Sequence, residues 1–383
     1  SILLGLCMGS SVYFSIQYGR QDPDRLRNGI FQSFLLIGGL TLLLNLTVYL
    51  ALDGILVLLQ IPPDILGLTK EYLQWIFAGM VATFLYNFFA NLLRSVGDSA
   101  TPLVFLGISV VLNIGLDILF VVPLGMGVRG AAMATVIAQF VAGLGLFLYT
   151  WFAFPALRVQ KRHRYWDRAA LKNLLNLSLF TCLQQSVMNF GILMVQGLVN
   201  SFGTAVMAAF AVAVKIDTIA YMPVQDFGNA FSTFVAQNYG AEKRDRIRTG
   251  THWAVFWVVL FCLVIGGLVC LLAPRLMAAF VGGDAAEVIA IGTGYLRIEA
   301  AFYLGIGILF LLYGYFRAVN RPAVSVVLTI CSLGTRVLLA YTLSALPALG
   351  VNGIWIAIPI GWFLADATGI LLWRREGKSA KTP

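Results

Sequence analysis

Two polar residues interrupt the long apolar run between Pro102 and Pro123. Asn113 and Asp117 are four residues apart in the segment LNIGLDILF, so on a helix they lie on the same face, about one turn apart. A carboxyl group in an apolar helix is costly to bury unless it is protonated, paired or bound to a cation. The pair therefore predicts one half of a cation or proton site, which ligands from other segments would complete.

The composition indicates the class of protein in which this pair of residues lies. The chain has 383 residues, of which 60% are hydrophobic and 11% are charged, and its mean hydropathy is +0.87. A soluble globular protein carries about 25% charged residues. The net charge of +9 does not indicate nucleic acid binding, because the basic residues fall in short loops between apolar spans. These values predict an all-α polytopic membrane protein.

Eleven segments are long and apolar enough to cross a bilayer, which requires about 20 residues. A membrane β-barrel would show short segments of alternating polarity instead. The predicted spans are residues 1–18, 29–52, 69–93, 101–123, 130–154, 171–198, 206–238, 251–273, 288–316, 322–346 and 352–373.

The basic residues are concentrated at every second connection between these spans. Of the 26 Lys and Arg residues, 20 follow the odd-numbered spans. Because Lys and Arg accumulate in cytoplasmic loops, this side is the predicted cytoplasmic side, and the C-terminus lies there. We expect a multi-pass protein of the bacterial plasma (inner) membrane.

Short sequences recur at a nearly constant offset. The tripeptide at 17–19, QYG, recurs as NYG at 238–240, and the dipeptide YL at 72–73 recurs at 295–296. The offsets of 221 and 223 residues indicate two parallel repeats. The span at 171–198 has no partner in the first half, so the repeat predicts a further helix before Ser1 and a 6+6 arrangement.

The repeat sets the predicted domain boundaries. We expect the segment between the lobes to be an interfacial cytoplasmic linker, since it is basic and carries Tyr165 and Trp166. The expected parts are an N-terminal lobe over 1–154 (helices 2–6), a linker over 155–172, a C-terminal lobe over 173–373 (helices 7–12) and a cytoplasmic tail over 374–383.

Four sequence motifs are long enough to compare with known families. They are LLRSVGDSATP (92–102), LNIGLDILF (112–120), GVRGAAMATVIAQ (127–139) and MPVQDFGNAFSTFVAQNYGAEKRDRIRTG (222–250). With these motifs the chain resembles the multidrug and toxic compound extrusion (MATE) transporters, from that family's second helix to its twelfth. The resemblance implies a two-lobe, twelve-helix fold around a central cleft. It also implies a secondary antiporter, and no enzyme, that exports amphipathic or cationic drugs or metabolites in exchange for Na⁺ or H⁺. We expect this protein to be a monomer.

The resemblance also implies a cation site in the N-terminal lobe. Asn113 and Asp117 match the family's asparagine and aspartate, and Thr135 matches its threonine. Counted along their spans, Asp117 and Thr135 lie at about the same depth. Oxygen ligands of this kind suit a hard cation such as Na⁺ or a proton. The family's other acidic ligand lies on its first helix.

The two lobes differ at these positions. The repeat aligns Asn113 with Arg336 and Asp117 with Ala340. Arg336 falls near mid-bilayer and needs a counter-charge. Glu299 and Asp226 lie at similar depths, so we expect one of them to pair with it.

The expected roles of the other polar residues are less specific. Lys215 and Asp217 lie near the predicted outer end of their span, where we expect both side chains to reach the interface. The span at 171–198 contains no acid. Its amides either line the cleft or bond between helices. The candidates for the cleft are Gln184, Gln185, Asn189 and the aromatic Tyr86.

Other functions have weaker support. A lipid-linked sugar flippase of the same superfamily is the main alternative, although it would require a more basic cleft. A channel or receptor fits the repeat and the buried acid poorly. The Gly-rich turns lack the flanking strand and Lys-Ser/Thr of a phosphate loop, and the five cysteines are scattered singly. We therefore expect no cofactor beyond the coupling ion, with a small amphipathic molecule and the bilayer as partners.

Overall fold

The computed structural model describes residues 2–58, 63–281 and 285–379. In this part of the chain the secondary structure is helical, and two single 3₁₀ turns lie at Pro155–Leu157 and Lys161–His163. The α-helices are α1 (Ile2–Gly19), α2 (Pro23–Leu58), α3 (Pro63–Ala78), α4 (Met80–Ser95), α5 (Ala100–Val121), α6 (Gly127–Ala153), α7 (Arg168–Asn200), α8 (Thr204–Gly240), α9 (Arg244–Val281), α10 (Ala286–Ala301), α11 (Tyr303–Ala318), α12 (Pro322–Ser344) and α13 (Val351–Ser379).

The helices confirm the predicted membrane spans. Ten described stretches are long and apolar enough to cross a bilayer, and the bent pair α10–α11 makes eleven. Several helices are longer than their apolar cores. For example, α9 covers Arg244–Val281 where 251–273 was predicted, because its polar first turns continue the same hydrogen-bonding pattern beyond the bilayer.

The repeat is visible in the backbone. The third span is interrupted at Gly79 and the ninth at Phe302, which are 223 residues apart. The second interruption bends the helix pair by 53°. Hydropathy does not predict either interruption, because the flanking residues are apolar on both sides.

The tight turns repeat as well. Several residues have positive φ angles, a conformation that is strained for residues other than glycine. Three pairs of them are related by the repeat offsets. The pairs are Gln21 with Glu242, Gly97 with Asn320, and Gly127 with Gly350. The two halves therefore share the same turns as well as the same order of helices.

The helices group into two compact units, Ile2–Leu179 and the chain from Phe180 onwards. In the first unit α4 packs against α1, α2 and α6. Phe88 lies at the centre of its core, with ring centroids 5.3 Å from Phe34, 5.4 Å from Phe89, 5.6 Å from Phe84 and 6.1 Å from Phe14. Such aromatic pairs stabilise a core beyond their buried area.

In the second unit α8 packs against α9, α10 and α11, and α12 forms a hairpin with α13. The ring of Trp355 stacks on Phe210 at 5.4 Å and meets the edge of Tyr295 at 5.0 Å. Trp355 and Tyr295 are both fully buried. This aromatic group joins α8, α10 and α13.

The segment after α6 is fixed to the start of α2. The Asn28 amide donates to the carbonyl oxygens of His163 at 2.9 Å and Tyr165 at 2.7 Å. The buried ring of His163 lies 2.9 Å from the Asp24 carboxylate. Arg27 also donates to the Ala156 carbonyl. This linker therefore has a defined conformation at the basic end of the first unit.

Substitution at adjacent glycines tests the packing of α9 on α10. A Cβ atom at Gly266 would lie 2.4 Å from the Ala300 carbonyl oxygen, whereas nothing lies within 4 Å of one at Gly267. We expect Gly266→Ala to lower the free energy of unfolding by about 1–3 kcal/mol, the usual effect of overpacking. Thermal unfolding of the purified protein in detergent measures this effect.

Gly267→Ala is the matched control. It should leave stability unchanged or raise it by up to about 1 kcal/mol, because alanine favours the helix. Equal melting temperatures for the two variants would contradict the described packing of these helices.

Candidate functional site

The α5–α6 hairpin brings two predicted site residues together. The Ser109 hydroxyl donates to the Ala138 carbonyl oxygen at 3.0 Å, which sets the register of the two helices. One turn further along α5, the Asn113 amide nitrogen lies 3.4 Å from the Thr135 hydroxyl oxygen. Because Asn113 donates through its nitrogen, its carbonyl oxygen is left to act as a ligand.

Asp117 follows on the next turn of the same face of α5. Its side chain is half-buried, and its Oδ1 atom is buried without a hydrogen-bond partner among the described residues. The hydroxyl of Thr135 donates to the Ala131 carbonyl at 3.0 Å and accepts from Asn113, so one lone pair of this oxygen remains to bind a ligand. The hairpin thus carries a carboxylate, an amide and a hydroxyl oxygen, a donor set that fits a proton or a hard cation.

The expectation that Asp217 reaches the membrane interface is wrong. Its side chain is 5% exposed. Tyr303 donates a hydrogen bond of 2.6 Å to one carboxylate oxygen, and Tyr295 donates one of 3.3 Å to the other. Lys215 is exposed, since residues two apart on a helix face different directions.

The four-residue spacing along α8 is consistent with the burial of Asp217. Ala213, four residues before Asp217 and on the same face of α8, is fully buried. The two tyrosines lie on α10 and α11, on either side of the break at Phe302. The sequence alone does not show that these segments meet.

Arg336 and Glu299 extend this polar cluster in the second unit. Glu299 on α10 is 1% exposed, and its Oε1 has no described hydrogen-bond partner. Arg336 on α12 interacts electrostatically with both Asp217 and Glu299. Within the described residues no salt bridge within 4 Å joins Arg336 to either acid, so the direct ion pair expected for Arg336 stays a prediction. Asp226, the other expected partner, is exposed on α8.

The residues predicted for the cleft have different environments. Gln184 on α7 is buried and its Oε1 has no described partner, whereas Asn189 is exposed and donates to the Gln185 carbonyl at 2.8 Å. In the first unit, Tyr86 donates its hydroxyl to the Pro102 carbonyl at 3.0 Å. This bond ties α4 to the start of α5 and occupies the polar group of that side chain.

These observations define the class of protein. The described residues form eleven apolar spans in two repeated halves. Fully buried carboxyl groups lie in the second half and a partly buried one, Asp117, lies in the first, a combination typical of a membrane transporter. The family model described as MatE matches residues 1–119 and 178–342, and the chain belongs to this family of transporters, which are not enzymes.

Individual relatives agree with this assignment. The chain is 30% identical over 377 residues to "Probable multidrug resistance protein YpnP" of Bacillus subtilis, covering 98% of this chain and 83% of the relative. It is 28% identical to "Probable multidrug resistance protein YoeA" of the same organism, covering 94% and 79%. A solved outward-facing MATE family transporter of the MOP superfamily has a TM-score of 0.93 and 24% identity, over 100% of this chain and 85% of that chain, and it shows the fold.

Removal of one hydroxyl tests the environment of Asp217. We expect Tyr303→Phe to lower the free energy of unfolding by about 1–3 kcal/mol, because a buried carboxylate loses its shortest hydrogen bond. Tyr341→Phe on the exposed face of α12 is the control and should change stability by less than about 0.5 kcal/mol. Thermal unfolding in detergent measures both, and an unchanged Tyr303→Phe melting temperature would rule out the described bond.

Proposed function

We propose that this protein is a secondary active antiporter that exports amphipathic or cationic small molecules in exchange for Na⁺ or H⁺. The observation that carries the proposal is the buried, unpartnered Oδ1 of Asp117, one helical turn along α5 from Asn113, which bonds to Thr135. The names of the relatives, which describe probable multidrug resistance proteins, support the substrate class.

The coupling follows from the cost of burying a carboxylate oxygen without a partner. A proton or a cation bound to Asp117 removes this cost, whereas the empty carboxylate favours a conformation in which water reaches it. Ion binding therefore favours one packing of α5 against α6 over another. A ligand shifts a conformational equilibrium only through such a difference in affinity, so the same difference can couple the ion to drug release.

The proposal also includes the orientation of the protein in the membrane and its transport cycle. The basic ends of the helices, which include the linker and the C-terminal end of α13, face the cytoplasm of a bacterial cell. Alternating access carries the substrate outward as the ion enters from outside, and the monomer is the working unit. The second unit contributes the polar cluster of Arg336, Glu299 and Asp217, in which the two tyrosine hydrogen bonds to Asp217 hold α8 against α10 and α11.

Efflux measurements test the role of Asp117. In cells that express the full-length protein, we expect Asp117→Asn to reduce ethidium export by at least about fivefold, the lower end of typical coupling. Asp53→Asn is the control, because Asp53 is an exposed acid of the same unit that pairs with Lys70 at the surface. The proposal fails if Asp117→Asn, expressed at the same level, exports ethidium as well as the unchanged protein.

A second measurement identifies the ion. Thr135→Val removes one ligand oxygen and nearly preserves side-chain size, so we expect it to weaken coupling. In proteoliposomes at fixed pH, a sodium-coupled protein would lose apparent Na⁺ affinity in this variant, since each ligand oxygen contributes to a cation site. A proton-coupled protein would transport without sodium in both forms. If Thr135→Val leaves both the ion dependence and the transport rate unchanged, Thr135 is not a ligand of the site.

A further inference from the structure

A cavity of about 320 Å³ lies in the first unit, at the end of the helices that carries the basic linker. Its volume is in the range of small-molecule sites. Its walls are mainly apolar and aromatic, with Phe34 from α2, Phe89 from α4, and Phe147 and Trp151 from α6. None of these residues belongs to the α5–α6 site of Asp117.

The cavity fills the space between α2 and α6. Both helices pack on α4, which contributes Phe89 and Leu92 to the cavity wall. The 3₁₀ turn Pro155–Leu157 contacts both α2 and α6 and closes the basic end. Arg27 of α2 donates to the Ala156 carbonyl oxygen at 2.7 Å, which fixes this turn to α2.

Two arginines and no acid are among the described lining residues. Arg158 is held over the Trp151 ring, 5.7 Å from its centre, and donates to the carbonyl oxygens of Trp151 and Phe152 at the end of α6. A guanidinium has five N–H donors, so three remain for a ligand. Arg164 is exposed and adds a second positive charge. The cavity thus combines an apolar interior with a basic rim.

The position of the cavity indicates where its occupant comes from. On α2, Leu35, Leu42 and Leu46 are exposed along one face, and on α6 Leu144 and Leu148 are exposed. Exposed leucines on spanning helices offer an apolar surface to acyl chains. Leu35 also lines the cavity, so the cavity continues into this lipid-facing surface.

The rim lies at the level of the membrane interface. Trp166 in the linker is about half exposed and contacts Phe31 of α2, with ring centroids 6.3 Å apart. Tyr165 beside it is also about half exposed. Tryptophan and tyrosine mark the depth of the lipid headgroups, so Arg164, adjacent to Tyr165, lies where lipid phosphates are.

We propose that this cavity binds an anionic phospholipid, with one acyl chain between α2 and α6 and the headgroup phosphate against Arg158 and Arg164. Basic pockets of this kind attract anionic headgroups. An amphipathic cation, the substrate class of the proposed function, would be repelled by the two arginines. The inference does not depend on the transport activity, because lipid binding is measured on the protein at rest.

Native mass spectrometry of the purified full-length protein tests the proposal. Phosphatidylglycerol and phosphatidylcholine with identical acyl chains are titrated separately. We expect one phosphatidylglycerol to bind at least about fivefold more tightly than phosphatidylcholine, and Arg164→Gln to weaken it about fivefold, the order expected for one basic residue near anionic lipid. Lys161→Gln removes the same charge from an exposed position of the linker outside the cavity, and it should change binding by less than about twofold.

A second pair of variants tests the acyl-chain site. Leu35→Trp places a large ring at the cavity and should abolish the tight phosphatidylglycerol site, whereas Leu43→Trp, on an exposed part of α2 outside the cavity, should not. Melting temperatures confirm that both variants are folded. Equal binding of the two lipids, equal losses in Arg164→Gln and Lys161→Gln, retained binding in Leu35→Trp, or displacement of the lipid by tetraphenylphosphonium would each overturn the proposal.

Discussion

The free-energy cost of placing polar groups among apolar helices governs this structure. A buried polar group must find a hydrogen bond, an opposite charge or a bound ion, because no bulk water reaches it. Asp217 meets this requirement through two tyrosine hydroxyl groups. Asp117 has one buried carboxylate oxygen that no described side chain satisfies. The contrast between these two acids separates a carboxylate whose oxygens both accept hydrogen bonds within the protein from one with an unsatisfied oxygen.

The two halves of the protein share a backbone plan and differ in their chemistry. Helix breaks and left-handed turns recur at equivalent positions in both halves. At the position of Asn113, however, the second half has Arg336, and at the position of Asp117 it has the fully buried Ala340. A repeat maintains helix packing because backbone geometry tolerates many side chains. Ion chemistry depends on single atoms, so one substitution is enough to remove it.

The basic linker shows a different use of charge. Part of its charge interacts within the protein, since His163 and Arg162 both contact Asp24. Arg158 has its guanidinium on Trp151, where it binds the carbonyl oxygens at the end of α6. Cations are favourable at a helix C-terminus, and Arg158 also lines the cavity between α2 and α6. In our proposal the same residue caps a helix and binds an anionic headgroup.

The amino-acid sequence by itself determined the eleven spans, the two repeats and the face that Asn113 and Asp117 share. These properties are local, because hydropathy and helical spacing are read within about 20 residues. Only the tertiary structure decided that Asp217 is buried rather than interfacial, since its tyrosine partners lie 78 and 86 residues away in the chain. It also decided where the third and ninth spans break, and it brought Phe34, Phe147 and Arg158 to one cavity. Contacts between distant segments depend on how helices pack, and no single window of the sequence contains that information.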